Sequence, residues 1–173
     1  YSMEGRADKN LVTTKRILYQ EPIVAHTLLD RLARVIGEYS VYQVRQGAQV
    51  IQLFDSWAHH LTPYDYKRFA LPYAAVVAKR VRAEFGRSVP IIFFANGCGG
   101  KLEDIRDSLT GLVDVIQVDW SINIADARER LGPEFVVQGN VDPTILFGPD
   151  QLIRETVQRT CQQAGQRHIL NLG

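Results

Sequence analysis

Gln52-Leu53-Phe54-Asp55-Ser56-Trp57 is the stretch on which the fold turns. An apolar run over residues 48–54 stops abruptly at an acid, a hydroxyl and an indole, and Pro63 then opens a helical segment at the first-turn position that tolerates a missing N–H. A strand that ends in polar side chains just ahead of a helix is a βα unit. Its tip is where α/β enzymes place their chemistry.

The same alternation runs through the chain. Apolar, β-branched runs over residues 48–54, 89–95, 113–118, 134–138 and His168–Leu172 predict strands, and each but the last is followed by a helical stretch. Between residues 21 and 46, Leu28, Leu32, Val35, Ile36 and Tyr39 share one helical face, which predicts a long amphipathic helix. Residues 63–85 and 149–164 read as two more helices, with short ones at Leu102–Leu109 and Ile124–Leu131. Gly86, Gly132 and Gly165 stand where helices end. Repeated βα units build a parallel sheet.

The 173 residues, 46% of them hydrophobic, suffice for one globular domain over residues 1–173, with no repeat, low-complexity segment or linker. A formal charge of +1 gives no one-sided field for nucleic acid, and no apolar stretch reads as a membrane span. Cys98 and Cys161 are too far apart for a metal pair and too few for a disulfide framework, so a reducing compartment is expected. No targeting peptide opens the chain, but it starts at Tyr1 rather than Met, and its natural N-terminus is expected upstream. At the far end a strand stops at Gly173 with no helix to cover it.

Five strands with intervening helices fit an open doubly wound sheet or part of a (β/α)8 TIM barrel. The polar residues favour the barrel. They recur at successive strand exits, as Asp55-Ser56, Asn96-Gly97, Asp119-Trp120, Gly139-Asn140 with Asp142, and Asn171-Leu172-Gly173. A barrel gathers every strand exit on one rim, whereas an open sheet concentrates its site at one switch point.

Phe54-Asp55-Ser56-Trp57, Gly97-Cys98-Gly99-Gly100, Val118-Asp119-Trp120, Gln138-Gly139-Asn140-Val141-Asp142-Pro143 and Asn171-Leu172-Gly173 together resemble the uroporphyrinogen decarboxylase family. The opening Tyr1-Ser2-Met3-Glu4-Gly5 is similar to the family's Tyr-x-x-Glu-Gly segment, and the six pieces occur in the family's order and spacing. The resemblance implies a carboxy-lyase of porphyrin synthesis that needs no cofactor and no metal. It converts the four acetate side chains of uroporphyrinogen to methyls on a (β/α)8 barrel that pairs as a homodimer. It also implies that this chain is the C-terminal part of such a barrel, without its early strands. The family's substrate-binding arginines and its pyrrole-contacting aspartate would then precede Tyr1, and its late histidine would follow Gly173.

Carbon dioxide leaves a pyrrole acetate once the ring carbon is protonated, so the ring itself is the electron sink. The protein's task is to orient an octacarboxylate and stabilise a cationic intermediate through placed donors and nearby negative charge. On the resemblance, Tyr1 corresponds to the tyrosine that hydrogen-bonds substrate, and Ser56 to the serine that contacts a substrate carboxylate. Catalytic residues proper are not assigned within the chain.

Each of these residues also has an ordinary structural reading. A tyrosine at a chain start packs half-buried, and a serine after a strand caps a helix or turn. Asp55 reads first as an ion-pair partner for an arginine, and Trp57 and Trp120 as closing the core. His59 and His60, adjacent in a polar loop, read as exposed. Gly97, Gly99 and Gly100 lack Walker spacing and read as close packing of backbone against a planar ligand. Arg6 and Lys101 depart from the family's usual glycine and apolar residues.

Two alternatives to the lyase stand. One is a zinc-dependent corrinoid or thiol methyltransferase of the same superfamily, for which Asn96-Gly97-Cys98 would have to supply His-x-Cys; asparagine is a poor zinc ligand. The other is a non-catalytic tetrapyrrole-binding protein. The wording of the glycine cluster leans toward plant and cyanobacterial sequences, so the expected location is the cytoplasm, or the plastid stroma in a photosynthetic source.

Overall fold

The computed structural model describes residues 3–5 and 8–173. Its strands are β1 Ile51–Asp55, β2 Ile91–Ala95, β3 Val115–Gln117, β4 Val136–Val141 and β5 His168–Leu172. All neighbours pair parallel, in the order β1-β2-β3-β4-β5. An unreversed chain order is that of a barrel wall, since a doubly wound sheet would reverse at a switch point. The helices are α1 Val12–Gln20, α2 Pro22–Arg45, α3 Pro63–Phe69, α4 Leu71–Phe85, α5 Leu102–Leu109, α6 Ile124–Leu131 and α7 Asp150–Ala164, with short 3-10 turns at Ala58–His60 and Pro143–Phe147.

The strand register separates two faces. Leu53, Phe93, Ile116 and Val137 form one cross-strand row, and Phe93, Ile116 and Val137 are buried in the core together with Leu102, Ile105 and Leu131 of the helices. The alternating residues point the other way. They form a row Phe54, Phe94, Gln117, Gln138 and Ile169, and beneath it a row Gln52, Ile92, Val115 and Val136. Three of these inner positions, Gln52, Gln117 and Gln138, are therefore glutamines in otherwise apolar strands.

Three helical expectations need correction. The segment 63–85 is two helices, because Pro72 falls in the first turn of α4 and the chain breaks at Ala70 (φ −122°, ψ −59°). Inside a continuous helix Pro72 would lose a hydrogen bond and clash with the preceding turn. Helix α1 is an element that periodicity missed. Its start lacks a local cap, and the amides of Thr13 and Thr14 are instead taken by the Glu4 carboxylate at 3.2 and 2.7 Å. Finally, α2 buries not Val35, Ile36 and Tyr39, which are exposed, but the small residues Ala25, Ala33, Gly37 and Ser40 with Val41. The small stripe lets α2 lie close on α4, while Ile36 and Tyr39 turn toward a groove beside β1.

Strand limits shift for local reasons. The Ala48 amide bonds back to Gln43 O at 3.0 Å, so residue 48 closes α2 instead of opening β1. Pro90 has no N–H, and β2 begins at Ile91. β4 runs on to Val141 because Asn140 and Val141 pair with Asn171 and Leu172, which makes a polar tip part of the strand.

At Gly37 a Cβ would stand 3.0 Å from Arg80 Cβ and 3.8 Å from Val77 Cα. Gly37→Leu is expected to force α2 off α4 and destabilise the fold by about 1–3 kcal/mol, measured by urea unfolding.

Candidate active site

The strand exits converge on one rim through a few charged and amide side chains. Asp119, just past β3, is buried, and its carboxylate accepts hydrogen bonds from the Gly97 amide, from the Ser121 amide at 2.8 Å and from the Ser121 hydroxyl. One carboxylate thus ties the loop after β2 to the loop after β3. Asn140, at the end of β4, donates to Asp119 O at 2.9 Å and Ile122 O at 2.6 Å, extending the tie to a third strand. Gly173 lies against the same loop, where a Cβ would come within 2.8 Å of the Trp120 amide nitrogen.

Below the rim runs a ladder of amides. The Gln117 carbonyl oxygen accepts from Gln52 at 2.5 Å and from Gln138 at 2.6 Å, and the Gln117 amide donates to Asn171 at 3.2 Å. These side chains come from β1, β3, β4 and β5, and they cross-link the inner face where a purely apolar row would only pack. Over the ladder, Phe54 and Phe94 meet edge to face with ring centroids 6.0 Å apart. Sequence reasoning passed over Gln52, Gln117 and Gln138. Their signal was present, since each is an amide at an inner register position of an apolar strand.

Ser56 is exposed in the turn after β1. It caps neither following helical element: the 3-10 turn starts from Trp57, and α3 is capped by Thr62, whose hydroxyl accepts from the Asp65 amide. Tyr1 and Arg6 lie outside the described residues. Trp57 and Trp120 do not close the core, because both are about half exposed at the rim, at 47% and 48%. Trp57 stacks on His60 with centroids 5.2 Å apart, so the His59-His60 pair belongs to an aromatic cluster. His59 is exposed as expected, but His60 is partly buried, and its Nε2 has no hydrogen-bond partner among the described residues. Desolvation and the adjoining His59 lower its pKa. Asp142 caps the Pro143–Phe147 turn, accepting from the Thr144 amide at 2.8 Å.

Among the described residues no arginine flanks Asp55, contrary to expectation. Burial raises its carboxyl above the ordinary range, opposed by Tyr66, by the Trp57 amide and by the charges of Lys101 and His59. The Tyr66 hydroxyl beside it is buried and makes no hydrogen bond of good geometry among the described residues. Cys98 is buried, and desolvation followed by the Asp119 charge pushes its thiol up to about 12. The enclosed thiol packs as part of the wall between the loop after β2 and the core. Among the described residues no three His, Cys, Asp or Glu side chains gather as a metal site.

A family model described as uroporphyrinogen decarboxylase (URO-D) matches residues 1–173. The chain belongs to the uroporphyrinogen decarboxylase family. Over its full length it is 46% identical to a uroporphyrinogen decarboxylase of Synechocystis and 47% identical to one of Microcystis aeruginosa, covering 49% of each. It is 44% identical to a chloroplastic uroporphyrinogen decarboxylase of Nicotiana tabacum, covering 44% of it. The chain spans about half the length of the curated relatives it matches. Among solved structures, a methyltransferase from Methanosarcina mazei superposes with a TM-score of 0.81 at 18% identity, over 94% of this chain and 48% of that one. That likeness is one of fold, while the sequence relatives carry the decarboxylase name and not the methyltransferase alternative.

Gly97 shows how tightly the rim is built. Its φ is +65°, and a Cβ would lie 2.6 Å from His59 Cβ. Gly97→Ala combines left-handed strain with a clash against the 3-10 turn. It is expected to destabilise by roughly 1–3 kcal/mol and to lower the melting temperature by several degrees, read by calorimetry.

Proposed function

We propose that these residues are the C-terminal strands and helices of a (β/α)8 uroporphyrinogen decarboxylase, which converts uroporphyrinogen III to coproporphyrinogen III. The observation that carries this is the family match over every residue of the chain. In this reading the free edges of β1 and β5 pair with the remaining barrel strands. The groove of about 690 Å³ lined by Leu32, Ile36, Tyr39 and Leu53 is then interior to the whole molecule. The whole protein pairs as a homodimer. It works in the cytoplasm, or in the plastid stroma of a photosynthetic source.

The chemistry asks for placed donors and shaped walls, and no cofactor enters it. Ser56 is exposed, uncommitted to capping, and adjacent to the Asp55 exit, so its hydroxyl is free to donate to a substrate carboxylate. Tyr1 supplies the second hydrogen bond to substrate. The half-exposed Trp57 and Trp120 offer flat apolar faces to a tetrapyrrole. Buried carboxylates at the rim lend the negative charge that a protonated pyrrole needs. The groups that move protons lie on the part of the barrel outside this chain.

The test uses the full-length protein, with uroporphyrinogen III supplied anaerobically and products separated by chromatography. Coproporphyrinogen should accumulate through intermediates of decreasing carboxylate count. Ser56→Ala should lower kcat/KM roughly ten- to a hundredfold, the worth of one charged hydrogen bond, and leave the melting temperature unchanged. Parental kinetics with earlier melting would make Ser56 structural, and absence of decarboxylation by the parent would leave a tetrapyrrole-binding protein.

A further inference from the structure

The amide ladder on the inner face of the sheet has a direction. At its hub is Gln117 of β3, which is buried. Its Oε1 accepts from Gln52 Nε2 of β1 at 2.5 Å and from Gln138 Nε2 of β4 at 2.6 Å, which uses both lone pairs of that oxygen. The Gln117 nitrogen is left to face β5, where it donates to Asn171 Oδ1 at 3.2 Å. Flipping Gln117 alone would set its NH2 against two other NH2 groups. The flanking glutamines therefore hold its orientation.

The consequence falls on Asn171, at the last strand exit. Its oxygen is committed to Gln117, so the nitrogen, on the other branch of the same planar amide, points away from that bond. Asn171 is partly buried, and among the described residues its Nδ2 donates to no protein acceptor. Its register partner on β4 is the opposite case. Asn140 pairs with Asn171 across the ladder, but its Nδ2 is spent on two carbonyls, Asp119 O at 2.9 Å and Ile122 O at 2.6 Å. Of two asparagines at one level of the inner face, one ties the rim together and the other presents a donor. An enclosed donor without a partner is costly unless a ligand or water takes it.

We propose that Asn171 is a further donor to a substrate carboxylate, and that Gln117 is the positioning residue that turns its nitrogen, not its oxygen, toward the ligand. The proposal rests on the decarboxylase reading. An octacarboxylate has to be met by donors at several points of the wall, and an amide meets one of them without adding charge beside the reacting ring. In the reverse orientation Asn171 would present an oxygen, and a carboxylate there would be repelled. The ladder therefore decides the sign of the group that faces the substrate, besides cross-linking the strands.

The test uses the full-length protein. Asn171→Asp keeps the acceptor for Gln117 and nearly the same shape, but replaces the outward NH2 by a carboxylate oxygen. It should raise KM for uroporphyrinogen III roughly ten- to a hundredfold, with a smaller change in kcat and an unmoved melting temperature. Unchanged KM would leave Asn171 a structural link only and overturn the proposal. Gln117→Glu still accepts from Gln52 and Gln138, and those two donors hold it charged. Having no donor for Asn171 Oδ1, it should draw the Asn171 nitrogen to itself and also raise KM. In an Asn171→Ala background Gln117→Glu should add nothing further. An equal rise in that background would mean that the new charge acts on substrate directly, and Gln117 would lose its positioning role.

A second arm reads binding without turnover. Uroporphyrin III, the oxidised and unreactive octacarboxylate, is titrated against the full-length parent and Asn171→Asp by quenching of tryptophan fluorescence. The Kd of the variant should be weaker by about tenfold. Equal Kd values, or no binding by the parent, would overturn the donor. If the parent binds uroporphyrin and Asn171→Asp weakens it, while the parent fails to decarboxylate uroporphyrinogen, the function fails and the donor stands.

Discussion

The Asp119 carboxylate is the interaction on which the rim depends. Parallel strands hydrogen-bond along their lengths, but nothing in that ladder fixes the loops beyond the last pair. Here a single buried side chain accepts the Gly97 amide from one loop and both Ser121 donors from the next, and the Asn140 side chain then binds the carbonyls of Asp119 and Ile122 from a third strand. Three consecutive strand exits become one body. In the proposed decarboxylase reading, that rigidity serves a reaction to which the protein contributes orientation and electrostatics.

Two further constraints follow from the same architecture. The amide ladder Gln52, Gln117, Gln138 and Asn171 stiffens the inner face below the rim, so that the carboxylates above it sit on a fixed floor. On the outer side, close seating of α2 on α4 through small residues frees the larger Ile36 and Tyr39 to line the groove beside β1. The helices are thus shared between a core already complete on one side and a groove on the other, which matches a chain spanning half of its relatives.

Much of this was legible in the residues. The five strands, their parallel order and the polar exits could be read from alternation and from where each apolar run stopped, and burial on both faces makes the runs of β2 and β3 the plainest. What escaped depended on partners distant in sequence. Helix α1 is capped by Glu4 from outside the local window, and the buried face of α2 was misassigned because periodicity favours large residues, while contact with α4 selected small ones. The break at Ala70 was foreshadowed by Pro72 but hidden by the apolar pattern around it. At the site, Asp55 and Asp119 were visible as polar tips. The donors that Asp119 gathers, the Gly97 amide and Ser121, were not, because nothing in the residues says that two loops will close on one carboxylate.

Hydrogen exchange at the Gly97 and Ser121 amides tests the central claim most directly. In the parent protein both amides should be protected to a similar degree. Asp119→Asn should release them together, by about ten- to a hundredfold, while strand amides such as that of Ile116 keep their protection. Exchange of Gly97 at the rate of a free peptide in the parent, or protection unmoved by the substitution, would contradict a rim organised by this carboxylate.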